Sequence, residues 1–196
     1  MRFLINRILK LQYELELVGI KNVLLNDFAS VIYGVPKLIG EIRILVKELK
    51  DYKVLADTLS YTLGMHKFRD NILNALRERS SVALNPVTMP IVYVVVARDE
   101  KLNKLIENSI VFKIDGEEAK VPRLEDYIEY LISLKNYPYV VDGFTLAIMH
   151  SERIDSSIIS NETRNLICDL IKDIEDKSAV FYELGKRLEK AKEKYC

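Results

Sequence analysis

The sequence predicts a mixed α/β fold: a small sheet flanked by helices, followed by a helical C-terminal extension. Three observations lead there. The run I-V-Y-V-V-V-A at 91–97 is rich in β-branched residues and has no polar alternation. Such a run predicts a strand buried on both faces, with helices covering the sheet on either side. Apolar residues at three-and-four spacing recur before and after it, the mark of amphipathic helices. Asp115-Gly116, between two short apolar runs, predicts a β-hairpin with strands at 110–114 and 117–121.

The elements follow in order. Residues 2–17 place Phe3, Leu4, Ile8, Leu11 and Leu15 on one helical face, and Gly19 closes that helix. A short strand at 23–25 comes next, then a helix at 27–33 capped by Asn26 or Asp27. Gly34-Val35-Pro36 breaks it, and Gly40 precedes a strand at 41–47. Val54, Leu55, Leu59 and Leu63 mark a helical face closed by Gly64; Phe68, Ile72, Leu73 and Leu76 mark another, ending near Ser80. A short helix is expected at 101–107. Pro122 suits the first position of a further helix, with Glu125 and Asp126 in the turn where the helix dipole favours anions. Leu124, Tyr127, Ile128, Leu131 and Ile132 supply its buried face. Asn136-Tyr137-Pro138 then interrupts, before a helix from about Val140 to His150.

In the tail, Ile167, Leu170, Ile174, Lys177, Phe181, Leu184, Leu188, Ala191 and Tyr195 fall on alternating three-and-four steps, predicting a helix over 161–195. Two readings fit that seam: a homodimer coiled coil, or a long helix docking on its own domain. The Ser-rich turn Asp155–Ser160 is the expected boundary between a domain at 1–154 and the extension at 155–196.

Composition bounds the function. With 49% hydrophobic and 30% charged residues the chain is globular rather than disordered. Lys+Arg and Asp+Glu are both 29, so no global basic footprint points to nucleic acid. Cys168 and Cys196 lack metal-ligand spacing and suggest reduced thiols in an intracellular setting. No run approaches the ~18 apolar residues of a membrane span, and the N-terminus has no cleavage-site pattern. The expected location is the cytoplasm, with no membrane partner. Abundant Lys and Glu beside a single glutamine, Gln12, is a composition met in thermophiles.

The most specific signal lies at Asn22–Lys47: a buried strand, a small helix, a loop, and a strand with charged residues two apart. Val23-Leu24-Leu25, Ala29, Tyr33-Gly34, Pro36 and Glu41-Ile42-Arg43 stand at its fixed points. This order resembles the entrance to a nucleotidyltransferase domain of the polymerase-beta-like kind, in its minimal, AbiEii-like form. There a strand ends in Gly-Gly or Gly-Ser, a helix with A…Y-G follows, then an R-x-T loop, then a strand bearing Asp-x-Asp. Further on, V-P-R-L-E-D-Y-I-E-Y-L resembles the family segment S-P-E-D-L-I-x-x-K, with Glu125 and Asp126 in place and Leu131 at the lysine position. Asp142 stands near the acid of the family's later segment. The resemblance spans about residues 1–150.

That family's chemistry implies a defined set of residues. Two carboxylates at i and i+2 on a strand share a face and hold magnesium, and a third on a neighbouring strand completes the cage. Backbone N–H groups of a glycine-rich turn at a helix N-terminus approach the phosphates. Here the first carboxylate aligns with Glu41 and the second with Arg43, a guanidinium that cannot bind a metal. The third position falls most naturally at Tyr93, the glycine turn becomes Asn26-Asp27, and the R-x-T loop reads Lys37-Leu38-Ile39.

Three functions follow as expectations. The first is a catalytically degenerate member of that superfamily, a pseudoenzyme working in binding or regulation in a toxin–antitoxin-like setting. It needs no cofactor, and its partner is a nucleotide or a protein. The second is an active nucleotidyltransferase using Mg2+ on an atypical set, Glu41, Asp27 and Asp99. The third is an oligomeric scaffold working through helix 161–195. At the site itself, Asn26, Asp27, Lys37 and Arg43 are candidate nucleotide- or anion-binding residues, and Glu41 the candidate catalytic and metal residue. Against that reading, Glu41 and Arg43 simply pair, and Asn26-Asp27 is simply a helix cap. His66 with Asp70, and His150 with Glu152, read as solvated helix faces. Tyr127, Tyr130, Tyr137 and Tyr139 read as packing rather than base stacking.

Overall fold

Strand-forming and helix-forming segments separate in the computed structural model, which describes residues 2–79, 81–84, 90–175 and 182–196, as a mixed α/β fold requires. Contacts divide the chain into two compact units, Met1–Ile32 with Lys37–Pro122, and Tyr33–Pro36 with Arg123–Cys196. Residues 155–196 belong to the second unit.

In the first unit, α1 (Arg2–Leu17) leads through Gly19, at φ +79°, into β1 (Asn22–Leu25), followed by α2 (Asp27–Ile32) and β2 (Glu41–Lys47). Then come α3 (Lys53–Thr62), a 3-10 turn at His66–Phe68, α4 (Arg69–Glu78), β3 (Ser81–Ala83), β4 (Ile91–Ala97) and α5 (Glu100–Glu107). The sheet runs β1-β2-β4-β3, with β1 antiparallel to β2, β2 parallel to β4, and β3 antiparallel to β4. The core lies where β1, β2 and β4 meet the helices: Val23, Leu24, Leu25, Ile42, Ile44, Leu45, Val94 and Val96 are fully buried. Ser80, the expected end of the fourth helix, lies outside the described residues.

β4 departs from expectation. Val92, Val94 and Val96 are buried, but Ile91, Tyr93 and Val95 are only half-buried. A run of β-branched residues does not by itself reveal how thickly each face is covered. The less covered face also carries Glu41 and Arg43 of β2, which lie beside Ile91 and Tyr93 in register.

The hairpin forms as β5 (Ser109–Ile114) and β6 (Glu117–Pro122), with Asp115 and Gly116 both at positive φ in the turn, as the Asp-Gly signal requires. Gln12 ties β6 to α1. Its amide donates to the Lys120 carbonyl at 3.0 Å and accepts the Lys120 N–H at 2.8 Å. The chain's single glutamine thus supplies both halves of a strand-like pairing inside a buried interface.

The second unit holds α6 (Leu124–Ser133), α7 (Tyr137–Met149), a 3-10 turn at Ser156–Ile158, α8 (Asn161–Glu175) and α9 (Tyr182–Tyr195). Pro122 ends β6 rather than opening α6, and Tyr137-Pro138 starts α7 rather than interrupting before it. Pro is accepted in that first turn because its missing N–H has no intrahelical partner there anyway. The break is Leu134–Asn136, with Lys135 at φ +52°.

The single helix expected over 161–195 does not form. Such a helix would hold residues 168 and 196 about 42 Å apart at 1.5 Å per residue. Their Cα atoms instead stand 5.3 Å apart, and Cys168 and Cys196 form a disulfide, so the expectation of reduced thiols is corrected too. α8 and α9 pack on each other and on α7, burying Ile167, Ile171, Leu188, Ala191 and Tyr195. Of the seam, Ile167, Leu188, Ala191 and Tyr195 are buried, while Leu170 and Ile174 are half-buried. Lys177 and Phe181 of that seam lie outside the described residues. Among the described residues no helix is long and apolar enough to cross a membrane.

Candidate functional site

The junction of β1, α2 and β2 is where the resemblance places its chemistry. β1 ends at Leu25, and the chain must reverse at once into α2. Asn26 achieves this at φ +59°, fully buried, and its carbonyl accepts the Ser30 N–H at 2.9 Å to begin the helix. The left-handed region costs most residues about 1–2 kcal/mol, and asparagine is among the few that tolerate it. This is the position at which the family has glycine.

The Asn26 side chain donates from Nδ2 to Glu41 Oε1 at 2.7 Å. The same oxygen accepts from Arg43 Nε at 2.6 Å. Glu41 and Arg43 are two apart on β2 and share its half-covered face, as strand alternation dictates. The Arg43 guanidinium also lies over the Tyr93 ring, 5.8 Å from its centroid, because Arg43 and Tyr93 are directly opposite in the parallel β2–β4 ladder. A cation over an aromatic face is attracted by the ring quadrupole.

Asp27 has different work. Its Oδ2 accepts the N–H groups of Gly40 and Glu41, both at 2.9 Å, and its Oδ1 pairs with Lys37 Nζ at 2.6 Å. One carboxylate thus pins the loop 37–41 to the start of α2. The close approach suits glycine at position 40, where a Cβ would come within 3.4 Å of Asp27 Oδ2.

These placements bear on each candidate residue. Asn26, Glu41 and Arg43 are joined by side-chain bonds, and Asp27 is joined to Lys37 and to the Gly40 and Glu41 amides. Glu41 and Arg43 form an ion pair with side chains about one-quarter exposed, 24% and 29%. Asp99, the third acid of the atypical set, is not among them. It caps α5, accepting from Leu102 N at 2.8 Å, beyond the end of β4 at Ala97. Glu41 is level with Ile91 at the other end of that strand, so about 20 Å of strand separates them at 3.3 Å per residue. Among the described residues no group of three or more His, Cys, Asp or Glu is arranged to hold a metal ion.

In the second unit, Glu125 and Asp126 are buried at the start of α6. Asp126 takes the Arg123 guanidinium through two nitrogens, at 2.8 and 3.0 Å, and Glu125 accepts the Asp155 N–H at 3.0 Å. Burial, reinforced by Glu125 and Asp126, pushes the Tyr33 phenol well above the usual tyrosine range. Burial and Glu125 raise Tyr195 likewise. Tyr127, fully buried, stacks with Tyr33 at 6.1 Å and Tyr130 at 6.4 Å between centroids. Tyr137 is exposed. His150 Nε2 lies 2.8 Å from the Tyr33 carbonyl, Glu152 pairs with Lys190, Asp70 pairs with Arg69, and His66 packs edge-on against Tyr61.

Sequence reasoning put the family's third acid position at Tyr93 but missed the contact of that ring with Arg43. A tyrosine level with an arginine on the next strand is the signal that could have found it. Compared with known proteins, the chain matches no protein-family model and no curated protein sequence.

Proposed function

We propose that this chain is a catalytically degenerate member of the nucleotidyltransferase superfamily, acting by binding in a regulatory or toxin–antitoxin-like setting and not by transferring nucleotides. The observation that carries this reading is the Glu41–Arg43 pair. The one carboxylate left of the family's three has its Oε1 engaged by Arg43 and by Asn26.

Other features support it. The order β1–α2–β2, with β2 beside and parallel to β4, brings the Glu41, Arg43 and Tyr93 positions together on one face, where that family keeps its acids. Magnesium wants near-octahedral oxygen ligands. This donor set offers one carboxylate beside a fixed cation, an aromatic ring where the third acid belongs, and an Asp27 committed to loop amides and Lys37. The set does not fit the ion.

The test is thermal unfolding against each of the four nucleoside triphosphates, with and without Mg2+. A ligand at a hundred times its Kd adds about 2.7 kcal/mol of stability, which is several degrees for a chain this size. The expected result is no magnesium-dependent shift. A magnesium-dependent shift would restore the enzyme reading and overturn the proposal. A shift without magnesium that vanishes in Arg43→Ala would identify the bound partner as a nucleotide.

A further inference from the structure

We propose that the groove between α4 and the edge strand β3 captures the free C-terminal end of a partner protein as an added antiparallel strand, with Arg79 receiving its terminal carboxylate. The inference stands apart from the β1–α2–β2 junction and does not depend on it.

The groove encloses about 520 Å³. One wall is a single face of the helical segment: Phe68, Ile72, Ala75 and Arg79, at steps of four, three and four. The other is the strand Ser81–Leu84. Phe68 is 56% exposed, although it lies against this cavity. A half-exposed aromatic ring at an apolar cavity is surface waiting for a cover.

β3 is the terminal strand of the four-stranded sheet, so among the described residues one of its sides has no neighbour in the ladder. Which backbone groups face that side follows from the register. Leu84 donates its N–H to Val92, and Val82 stands opposite Val94. In an antiparallel ladder the hydrogen-bonded residues alternate, so Ser81 and Ala83 turn their N–H and C=O groups outward. Both residues are exposed. Four backbone groups are thus presented at the spacing an incoming strand reads. Main-chain pairing supplies affinity in such complexes, and a pocket for alternate side chains supplies selectivity.

Charge sets the direction. Among the described residues Arg79 is the one charged side chain lining the groove, and it makes no ion pair with any of them. It sits just before Ser81, at the beginning of β3. A strand added antiparallel to β3 brings its own C-terminus to that end, whereas a parallel strand would bring an ammonium group or further chain there. The carbonyl end of α4 would ordinarily repel an anion. Here Arg98 offsets it, donating from Nη2 toward the Leu76 and Arg79 carbonyls at 3.5 and 3.4 Å. A guanidinium with a free fork prefers a carboxylate bidentately. The fitting ligand is therefore an extended C-terminal tail with small β-branched side chains and a free carboxylate.

The probe is a fluorescein-labelled peptide, Lys-Ser-Thr-Val-Thr-Val, prepared with a free C-terminal carboxylate and as the C-terminal amide. The expected result is saturable binding of the acid, with the amide weaker by about tenfold or more, the usual consequence of losing a charge-assisted hydrogen bond. Arg79→Gln should make the two forms equal. Ala83→Pro removes one outward N–H without touching the β4 ladder, as edge strands allow, and should abolish binding. In the unmodified protein the amide resonances of Ser81 and Ala83 should move on titration, which decides the matter should Ala83→Pro fail to fold. No saturable binding of the acid up to about 1 mM, equal affinity for acid and amide, or unmoved Ser81 and Ala83 resonances would each overturn the proposal.

Discussion

Replacing Arg123 with alanine is expected to lower stability by about 2–4 kcal/mol in urea unfolding. The reason lies in Asp126 rather than in Arg123. The Asp126 side chain is 2% exposed and holds the guanidinium through both Nε and Nη2. Removing the cation leaves a carboxylate in surroundings that water scarcely reaches. Breaking such a pair typically costs about 3–5 kcal/mol. The lower figure is used because the Arg123 side chain is 34% exposed, so solvent partly replaces it. Arg123→Lys keeps the charge but loses the fork, and should cost about half as much. The double variant Arg123→Met with Asp126→Leu should recover part of the loss: the Asp126 charge is gone, but Glu125, 3.7 Å from the Arg123 guanidinium, still loses its cation. An Arg123→Ala variant within about 0.5 kcal/mol of wild type would show that Asp126 is adequately held by other groups.

Loss of the Cys168–Cys196 bridge is the second large effect. The cysteines are 28 residues apart. In the chain-entropy model, opening a loop of that length releases about 3.5 kcal/mol of denatured-state freedom. Cys196→Ser should therefore shift the urea midpoint strongly downward, by the same amount as adding a thiol reductant to the wild type. The variant itself should ignore the reductant. The contacts of Leu188, Ala191 and Tyr195 remain, so α9 is expected to stay docked but to open more readily. Superimposable unfolding curves with and without reductant would contradict a bridge that contributes to stability.

The sequence carried the fold further than it carried the site, for physical reasons visible at individual residues. Amphipathic spacing located the helices at 2–17, 53–62 and 69–78 because a helix must bury one stripe, and apolar runs located β2 and β4 for the same reason. The Asp-Gly turn was legible because few dipeptides accept positive φ at two successive residues. The C-terminal hairpin was not. Its seam has the spacing of one long helix, and residues 176–181, Asp-Lys-Ser-Ala-Val-Phe, contain neither Gly nor Pro to mark a break. The packing of α8 and α9 on each other and on α7 depends on surfaces that local spacing does not encode. The disulfide was hidden by the same error, since a continuous helix would hold the two thiols far apart.

At the candidate site the positions were legible and the bonds were not. Strand alternation put Glu41 and Arg43 on one face, and the expected neighbour of that pair, Tyr93, is in register with Arg43. In sequence Asn26 reads as a helix cap or as an anion-binding residue. Its side chain instead reaches 15 residues along the chain to Glu41, a contact that depends on β1 and β2 pairing first. Asp27 likewise reads as a helix-start residue, yet it holds loop amides 13 and 14 residues away. The Lys37 that resembles a phosphate ligand in sequence is paired with that same carboxylate. A one-dimensional motif shows which residues are near one another; it does not show which have already satisfied each other.

On the proposed reading, Glu41 is a structural partner of Arg43 and Asn26, not a metal ligand held in reserve. The most direct measurement is the urea stability of Glu41→Gln against wild type, both in excess chelator. A carboxylate kept for a metal is a liability when the metal is absent, so its neutralisation leaves stability unchanged or raises it. A structural carboxylate loses its charge-assisted hydrogen bonds, each worth about 1.5–3 kcal/mol. The expected result is a loss of about 1–3 kcal/mol in Glu41→Gln; equal or greater stability of the variant would contradict the claim.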